Sequence, residues 1–577
     1  MLPSIRGGLI GDDVRHALIL RGDTGIPGLE HSPFDLFVFA TGEREYWEQM
    51  LDAGIYPWWA SPDVRLAFLR PVSSFFHWVD FQLWPDSGVM MHLHSIAWFA
   101  VVLVLAAAVY RRLCPTPLLA GLAFLLFALD DAHSTPAAWL ANRYGLVALS
   151  LALGTFLAYE RWRTDGWRPG AWLGPLIFSV AILAGESALA IGAYLFAHAV
   201  FLDRAPWRAR IAALAPYAVL VVAWRVAYQA LGYGATGSAA YYDPGRDGLA
   251  FVVPLLQRLP VLLVGQFGLP SADLWAFYND ALVLVAAVGG ALVLLVGLLA
   301  FVPLLRRDAV ARFWLVGAVL SALPFCATVP SDRSLLFIGV GAMGLLAHFF
   351  HAVFTRAEGY RDSTPVRVFA TGLVVLHLGL APVFLPIRSS MATYLHRHFD
   401  RAVAQLPREP EFREQYLVLV NPPSEAFSAY IQPAFAFEGR TRPRGIRTLV
   451  TGMTAVTLTR EDERTVRIRP ETGFYPSIRE RVARDPAQPM EVGQRVDVPP
   501  MSVEVTALTE DGRPAEALFE FDVPLEHPSL RWYGWDVKRF TPFRIPSVGE
   551  TLELPRPRLR DIVGKDRREA GDGVDSG

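Results

Sequence analysis

Ten apolar runs between residues 92 and 386 constrain this chain more than any other feature of its 577 residues. Inside a bilayer, the backbone N–H and C=O groups must be satisfied within the segment, so such runs are predicted to be membrane helices. The predicted helices are 92–110, 117–130, 144–160, 172–186, 188–202, 211–231, 281–305, 313–328, 334–354 and 366–386. A further apolar stretch, 250–266, contains Arg258 and Pro260, which favour an interfacial or re-entrant segment over a crossing.

The placement of arginine predicts the orientation, because cytoplasmic loops are enriched in Lys and Arg. Alternate loops hold Arg111, Arg112, Arg161, Arg163, Arg168, Arg204, Arg208, Arg210, Arg306, Arg307, Arg312, Arg356, Arg361 and Arg367, whereas the opposite loops hold Arg143, Arg246, Arg258 and Arg333. Residues 1–91 and everything after 387 are therefore predicted to lie on the non-cytoplasmic side. For a bacterial protein, this is the outer face of the inner membrane.

Residues 387–577 have the composition of a soluble chain, and short β-type runs at 416–420, 465–469, 501–506 and 517–523 are separated by Gly and Pro. The predicted fold class is an α-helical polytopic membrane protein with a small, mainly-β C-terminal domain outside the cytoplasm. The predicted parts are an external segment with an acidic motif and amphipathic helices (1–91), a transmembrane domain (92–386), a linker (387–404), a mainly-β domain (405–555) and a disordered tail (556–577).

Composition excludes several classes of function and partner. The chain is 53% hydrophobic and 19% charged, below the charge content of about 25% that soluble proteins carry. The net charge is −2 and no polybasic segment is present, so nucleic acid is not a predicted partner. The two cysteines, Cys114 and Cys326, are predicted near opposite membrane faces and cannot form a disulfide framework.

The first acidic feature is the pair Asp12-Asp13, which follows Gly11. Adjacent carboxylates raise each other's proton affinity, and one of them can act as a general base while the other orients a substrate or metal. A solvent-exposed loop or a helix cap is the structural alternative for such a pair.

A second acidic feature, Asp130-Asp131-Ala132-His133, directly follows an apolar run. Ionisable groups at a membrane boundary are costly and often functional, although simple termination of the helix is an alternative. Asp131 and His133 are residue types that ligate a divalent metal. His92 begins the first apolar run on the same predicted side and is interpreted as either structural or ligating.

Three cations and one carboxylate complete the predicted set. Arg143 and Arg333 lie at external ends of apolar runs, and Arg70 precedes an aromatic amphipathic stretch. Arginine binds phosphate by charge-assisted, bidentate contacts, and the alternative is an interfacial arginine that reaches water. Glu186 lies between two apolar runs, where it is predicted to bind a backbone amine or an arginine, or to belong to the site.

The order of these groups resembles the multispanning glycosyltransferases of the GT-C fold, above all protein O-mannosyltransferases and tetratricopeptide-bearing transmembrane mannosyltransferases. The stretches that carry the likeness are Gly8-Leu9-Ile10-Gly11-Asp12-Asp13, Arg70-Pro71-Val72-Ser73-Ser74, His92-Leu93-His94-Ser95, residues 126–133 with Ala138-Trp139-Leu140-Ala141-Asn142-Arg143, Gly185-Glu186-Ser187, and Ser331-Asp332-Arg333-Ser334. The block 126–143 is the most specific of them. Members of the family have a transmembrane helix before the acidic motif, so we expect such a helix to precede Met1.

The resemblance implies transfer of a hexose from a polyprenyl-phosphate-linked donor to a protein, lipid or glycan acceptor on the outer face. Asp13 or Asp12 would be the base, and Arg143 and Arg333 would hold the phosphate. Asp131 and His133 would orient donor, acceptor or a divalent metal, while Glu186, Arg70 and His92 would complete the substrate-binding set. The alternatives are a membrane transporter, a non-enzymatic component of surface-polysaccharide assembly, and a catalytically inactive GT-C relative.

Overall fold

The structure is a computed structural model that describes residues 1–22, 25–361 and 363–558. Contacts between residues divide the chain into two compact units. The first, called the membrane unit here, comprises Met1–Leu20, His31–Thr41 and Arg65–Thr393. The second, the C-terminal unit, is built from the chain after Thr393 together with Arg21–Glu30 and Gly42–Val64. The segment predicted as one external region, 1–91, is thus divided between the two units.

The apolar runs form helices. The α-helices up to residue 403 are α1 (Asp12–Arg21), α2 (Arg44–Ala53), α3 (Pro71–Leu83), α4 (Gly88–Leu113), α5 (Pro117–Ala128), α6 (Ser134–Ala138), α7 (Tyr144–Asp165), α8 (Gly170–Ala184), α9 (Ile191–Phe201), α10 (Trp207–Ala230), α11 (Pro244–Asp247), α12 (Val252–Phe267), α13 (Asp280–Arg307), α14 (Ala309–Ser321), α15 (Leu336–Phe354), α16 (Thr364–Val374), α17 (Ala381–Ser389) and α18 (Met391–Val403). A π-helical turn joins α16 to α17, and the segment predicted as a linker, 387–404, is largely helical.

Within the described residues, eight helical segments are long and apolar enough to cross a membrane. They are Gly88–Leu113, Leu140–Asp165, Trp207–Ala230, Pro244–Phe267, Asp280–Arg307, Ala309–Ala327, Asp332–Phe354 and Thr364–Val403. A pair bent by 48°, Pro117–Ala128 with Asp131–Ala138, makes up to nine. The ten predicted runs correspond to seven of the eight segments, all but Pro244–Phe267, together with this bent pair and two shorter apolar helices, Gly170–Ala184 and Glu186–Phe201. This confirms the predicted class, an integral, polytopic α-helical membrane protein.

Segment Pro244–Phe267, predicted to be interfacial or re-entrant, forms a helical segment of 24 residues with a mean hydropathy of 1.8. Arg258 argued against a crossing on sequence grounds. In the structure, its guanidinium is buried and donates to the carbonyls of Ala239, Ala240 and Cys326. Because these carbonyls satisfy the cation inside the protein, the helix can include it without exposing it to lipid.

The core of the membrane unit depends on the close approach of α14 and α15. A Cβ on Gly344 would lie 2.5 Å from the ring of Trp314, so only glycine fits at this contact. Tyr194 on α9 fixes the start of α15, because its hydroxyl donates to Phe337 O at 2.6 Å and accepts from Gly341 N at 2.9 Å. The end of α15 that carries the preceding Ser331-to-Leu335 turn is therefore held rigidly.

A three-stranded antiparallel sheet lies beside the first helices of the membrane unit. Its strands are β1 (Val38–Thr41), β2 (Arg65–Ala67) and β3 (Gly234–Thr236), in the order β1-β2-β3. Strand β2 leads through Arg70 into α3, which begins at Pro71, a favoured first helical residue. The sheet thereby fixes the position of Arg70 relative to the loop that contains β3.

The C-terminal unit combines two sheets. Its elements after residue 403 are β4 (Tyr416–Leu419), α19 (Ala426–Ala429), α20 (Ile431–Phe437), β5 (Gly445–Thr448), β6 (Val456–Arg460), β7 (Thr465–Pro470), β8 (Arg495–Val498), β9 (Met501–Leu508), β10 (Pro514–Phe521), β11 (Leu530–Asp536), β12 (Arg539–Pro542) and β13 (Thr551–Leu554). The antiparallel sheet has the order β13-β6-β7-β10-β9-β8, and the mixed sheet has the order β12-β11-β4-β5. The mainly-β character is confirmed, and β4 pairs in parallel with both β5 and β11, joined to β5 through the two short helices.

The two N-terminal segments of the C-terminal unit supply part of its core. Trp58 is buried and its indole N–H donates to Leu449 O at 3.1 Å. Arg447 donates from the sheet to Asp52 O at 3.0 Å. Most of the predicted tail, residues 559–577, lies outside the described residues.

Candidate functional site

The first acidic motif forms a tight turn that leads into α1. Gly8 and Gly11 have φ values of 64° and 52°, in the left-handed region that favours glycine. Asp12 and Asp13 then open the helix, where negative charge is stabilised by the helix dipole. His92 supports this turn, since its Nε2 lies 3.0 Å from Gly8 O.

Asp13 and Asp12 have different surroundings. The Asp13 carboxylate is buried and accepts from Ala141 N at 2.6 Å and from Ile10 N at 3.1 Å. Burial raises the pKa of Asp13 to about 8, and the two backbone N–H groups oppose this rise. Asp12 is only partly buried. The carboxylate of Asp13 thus joins the first motif to the segment that precedes α7.

Arg143 is part of a buried ion pair. It is 1% exposed and pairs with Asp80 of α3, and it also donates to Ser95 Oγ and Met91 O, both at 2.8 Å. Asp80 in turn lies 2.5 Å from His94 Nδ1. The donors of Arg143, expected to hold a phosphate, are engaged by these internal groups.

Arg333 has no such partners. Across residues 1–22, 25–361 and 363–558, its guanidinium makes no hydrogen bond or ion pair, and it lies 5.7 Å from the centre of the Trp139 ring. Asp12, Tyr144 and Arg70 are among the groups that interact with it electrostatically. Arg333 is therefore a cation that the described protein leaves without a counter-ion bonded to it.

Arg70 and Glu186 form an ion pair beside this cation. Arg70 Nε donates to Glu186 Oε2 at 2.7 Å. The Arg70 guanidinium lies 3.8 Å from the centre of the Tyr144 ring and 4.7 Å from that of Phe68. Of the alternatives predicted for Glu186, the structure shows the contact with an arginine. An arginine held against aromatic rings stays oriented, so this pair forms a fixed wall of the site.

Asp131 and His133 have different partners in the structure. Asp131 accepts from Arg388 of α17 at 2.9 Å. His133 is buried between the rings of Phe99 and Phe127, with centroid distances of 5.9 and 4.4 Å. Since a guanidinium holds one residue and phenyl rings enclose the other, this pair does not fit a divalent metal. The residues that the structure describes contain no group of three or more His, Cys, Asp or Glu placed to hold one.

The structure thus brings together Asp12, Arg333, Arg70 and Glu186, with Tyr144 and Trp139 as aromatic neighbours. Asp13 and His92 support this cluster through the backbone. Two functional candidates escaped the sequence interpretation: Asp80, the partner of Arg143, and Arg388. The signal for Arg388 was its charge at the end of an apolar helix.

Comparisons with known proteins give distant structural matches. No family model and no curated protein matches the sequence. The fold is similar to the archaeal oligosaccharyltransferase AglB from Archaeoglobus fulgidus, solved with an inhibitory peptide and a dolichol-phosphate, with a TM-score of 0.38 and 13% identity over 71% of this chain and 62% of that one. It is also similar to the apo oligosaccharyltransferase of Archaeoglobus fulgidus, with a TM-score of 0.36 and 12% identity over 75% and 64%.

This chain spans less than two thirds of the length of either match. With TM-scores below 0.5, the function of this chain rests on its own side chains.

Proposed function

We propose that this protein transfers a sugar from a polyprenyl-phosphate-linked donor to an acceptor hydroxyl. The observation that carries the proposal is Arg333, whose guanidinium has no hydrogen-bonding or ionic partner within the described residues. A cation at the end of an apolar helix is costly unless an anion pairs with it. A phosphate whose lipid tail lies in the bilayer supplies that anion at the required depth.

Arg333 would bind the phosphate that leaves during transfer. Planar guanidinium groups match phosphate oxygens bidentately, and Arg333 has its donors available for this contact. Charge develops on the phosphate as the sugar departs, so a fixed cation stabilises the transition state more than the ground state. Arg70, which Glu186 holds in place, is among the groups that interact electrostatically with Arg333.

Asp12 is proposed as the general base. Asp12 interacts electrostatically with Arg333, whereas both oxygens of Asp13 accept backbone N–H groups. Asp12 would take the proton of the acceptor hydroxyl as its oxygen forms a bond to the anomeric carbon. The bond from that carbon to the phosphate oxygen breaks, its electron pair stays on the phosphate, and the anomeric configuration inverts.

The arginine bias of the loops supports placing this site on the non-cytoplasmic face, with the C-terminal unit on the same side. The acceptor is proposed to be a protein, lipid or glycan hydroxyl presented on that face. A mannosyl donor is the first to test, because the sequence resemblance is to mannosyltransferases. Asp131 and His133, the pair predicted to bind a divalent metal, take no part in this mechanism.

The proposal is tested with the purified protein in nanodiscs, a panel of radiolabelled polyprenyl-phosphate hexoses, and farnesyl phosphate as a binding probe. We expect wild-type transfer, and a fall of about 10²- to 10³-fold in Arg333→Gln and in Asp12→Asn. Arg246→Gln is the matched control, because Arg246 is an exposed arginine on the same predicted face. Its transfer rate should equal that of the wild type.

Two outcomes would overturn the proposal. If wild-type protein does not bind farnesyl phosphate, or binds it as tightly without Arg333, the phosphate assignment fails. If phosphate binding depends on Arg333 but no donor in the panel yields a product, the chain is an inactive relative or a non-enzymatic carrier.

A further inference from the structure

Arg388 makes three ion pairs close to the candidate site. Its guanidinium contacts Asp131 at 2.9 Å, Asp332 at 2.5 Å and Asp273 at 2.7 Å. These carboxylates come from three loops that are distant in sequence, and Arg388 comes from the last turn of α17. One guanidinium therefore joins four segments of the membrane unit.

Asp332 is the member of this cluster that leads to the site. It immediately precedes Arg333 and is nearly buried, and it accepts from Ala272 N at 2.7 Å and Ser271 Oγ at 2.8 Å. Its own backbone N–H donates to Asp273 at 3.0 Å. The contacts of Arg388 and of the 271–273 loop thus fix the backbone from which the Arg333 side chain extends.

The charge of the cluster is unbalanced. Three carboxylates share one guanidinium, which leaves a formal charge of two negative units beside Arg333. Without Arg388 the three carboxylates would be unpaired, and a partly buried carboxylate strongly attracts any cation within reach. The arginine nearest to these carboxylates in sequence is Arg333, which directly follows Asp332.

We infer that Arg388 is a positioning residue that keeps Arg333 available for phosphate by occupying the carboxylates that would otherwise capture it. This inference rests on the proposed function, because it assigns a role to Arg388 through the phosphate-binding arginine. Arg388 itself does not touch the donor. It acts by holding the backbone that carries Arg333 and by pairing with the carboxylates near it.

The test measures farnesyl phosphate binding to the full chain in detergent micelles. Arg388→Gln should weaken binding by about ten- to a hundredfold, the loss expected when one charge-assisted contact is diverted. The triple variant Asp131→Asn, Asp332→Asn, Arg388→Gln should regain most of the wild-type affinity, since the two less exposed of the three competing carboxylates are gone. A purely structural role for Arg388 instead predicts that the melting temperature falls with the affinity in Arg388→Gln and recovers with it in the triple variant.

Arg246→Gln is the matched control. It also removes one guanidinium, from an exposed arginine outside the cluster. Its affinity should stay at the wild-type value. Thermal unfolding of each variant identifies any that has lost its fold.

The possible results separate the two claims. If wild-type and Arg246→Gln proteins bind farnesyl phosphate and Arg333→Gln does not, the phosphate site is upheld whatever Arg388 does. If in that case Arg388→Gln binds like the wild type, or the folded triple variant binds no better than Arg388→Gln, the inference about Arg388 is overturned. If wild-type protein does not bind the probe, the proposed function itself has failed.

Discussion

Arg143 and Arg333 each stand shortly before a long apolar helix on the same predicted face, and their surroundings differ. Arg143 is enclosed, and Asp80, Ser95 and Met91 accept its hydrogen bonds. Arg333 is half-buried against the ring of Trp139 and makes no ion pair within the described part of the chain. Arg143 has its counter-ion within the protein. Arg333 has none bonded to it among the described residues, as is expected of a residue that binds an anionic ligand.

This difference shows that an arginine at a membrane boundary indicates that a negative charge will lie beside it. The sequence does not indicate whether the protein or a ligand supplies that charge. For Arg143 the source is the carboxylate of Asp80 on α3. For Arg333 we propose a ligand. The predictions that follow test this division, in order of decreasing effect.

The largest effect is expected on stability, from Arg143→Met. This change removes the guanidinium that pairs with the buried Asp80 and leaves the His94 imidazole as its partner, a loss of about 3–5 kcal/mol of unfolding free energy. Denaturant titration in mixed micelles measures it. The double variant Asp80→Asn, Arg143→Met should recover part of the loss, and equal stabilities of the single and double variants would contradict a built-in ion pair.

Arg333→Gln should give the opposite pattern. Transfer falls by about 10²- to 10³-fold, equivalent to roughly 3–4 kcal/mol of transition-state stabilisation, while the unfolding free energy stays within about 0.5 kcal/mol of the wild type. The two quantities are measured on the same preparation. A stability loss as large as that of Arg143→Met would show that Arg333 has an internal structural partner after all.

Asp13→Asn is expected to change how stability depends on pH. Because the pKa of Asp13 is raised to about 8 in the folded protein, its contribution to stability is complete below the unfolded pKa and is lost as pH rises through 8. Between these limits the wild type loses up to about 1.4 kcal/mol per pH unit that the variant does not lose. Melting temperatures from pH 5 to 9 should therefore diverge, and parallel curves would contradict the burial of this carboxyl.

The smallest effect is expected from Trp139→Leu. The ring of Trp139 lies against the Arg333 guanidinium, and an exposed cation–π contact contributes about 0.5–1 kcal/mol. Farnesyl phosphate affinity should fall by about two- to fivefold, as Arg333 becomes less well oriented. Trp172→Leu, at an exposed position on α8, is a control that should leave the affinity unchanged.

The sequence predicted the helical class and several of the residues that meet at the candidate site. Apolar runs are local signals, so each predicted helix could be found without a partner, and the Asp12–Arg333 cluster followed from placing charges on one face. The ion pairs could not be predicted in this way, because their two partners are distant in sequence. Nothing in the neighbourhood of Arg143 indicates that Asp80 neutralises it, or that Arg388 binds Asp131 in place of a metal.

In the C-terminal unit, too, the sequence predicted the local elements but not how they pair. Its strands at 416–419, 465–470, 501–508 and 514–521 were visible as β-type runs, but the parallel pairing of β4 with β5 and β11 was not. Trp58 and Trp59 are buried in the core of this unit, because the segment that carries them packs against residues more than three hundred positions later.

That interleaving has a consequence for biogenesis. The indole of Trp58 emerges from the ribosome long before Leu449, its acceptor, has been translated. At about 5–20 residues per second, the wait lasts roughly 20–80 s, during which the intervening membrane helices are inserted. Throughout that interval an apolar segment whose packing partners are still untranslated is exposed to the translocon and to chaperones. A gene cut after residue 393 would leave the C-terminal half without Arg21–Glu30 and Gly42–Val64, which belong to its unit.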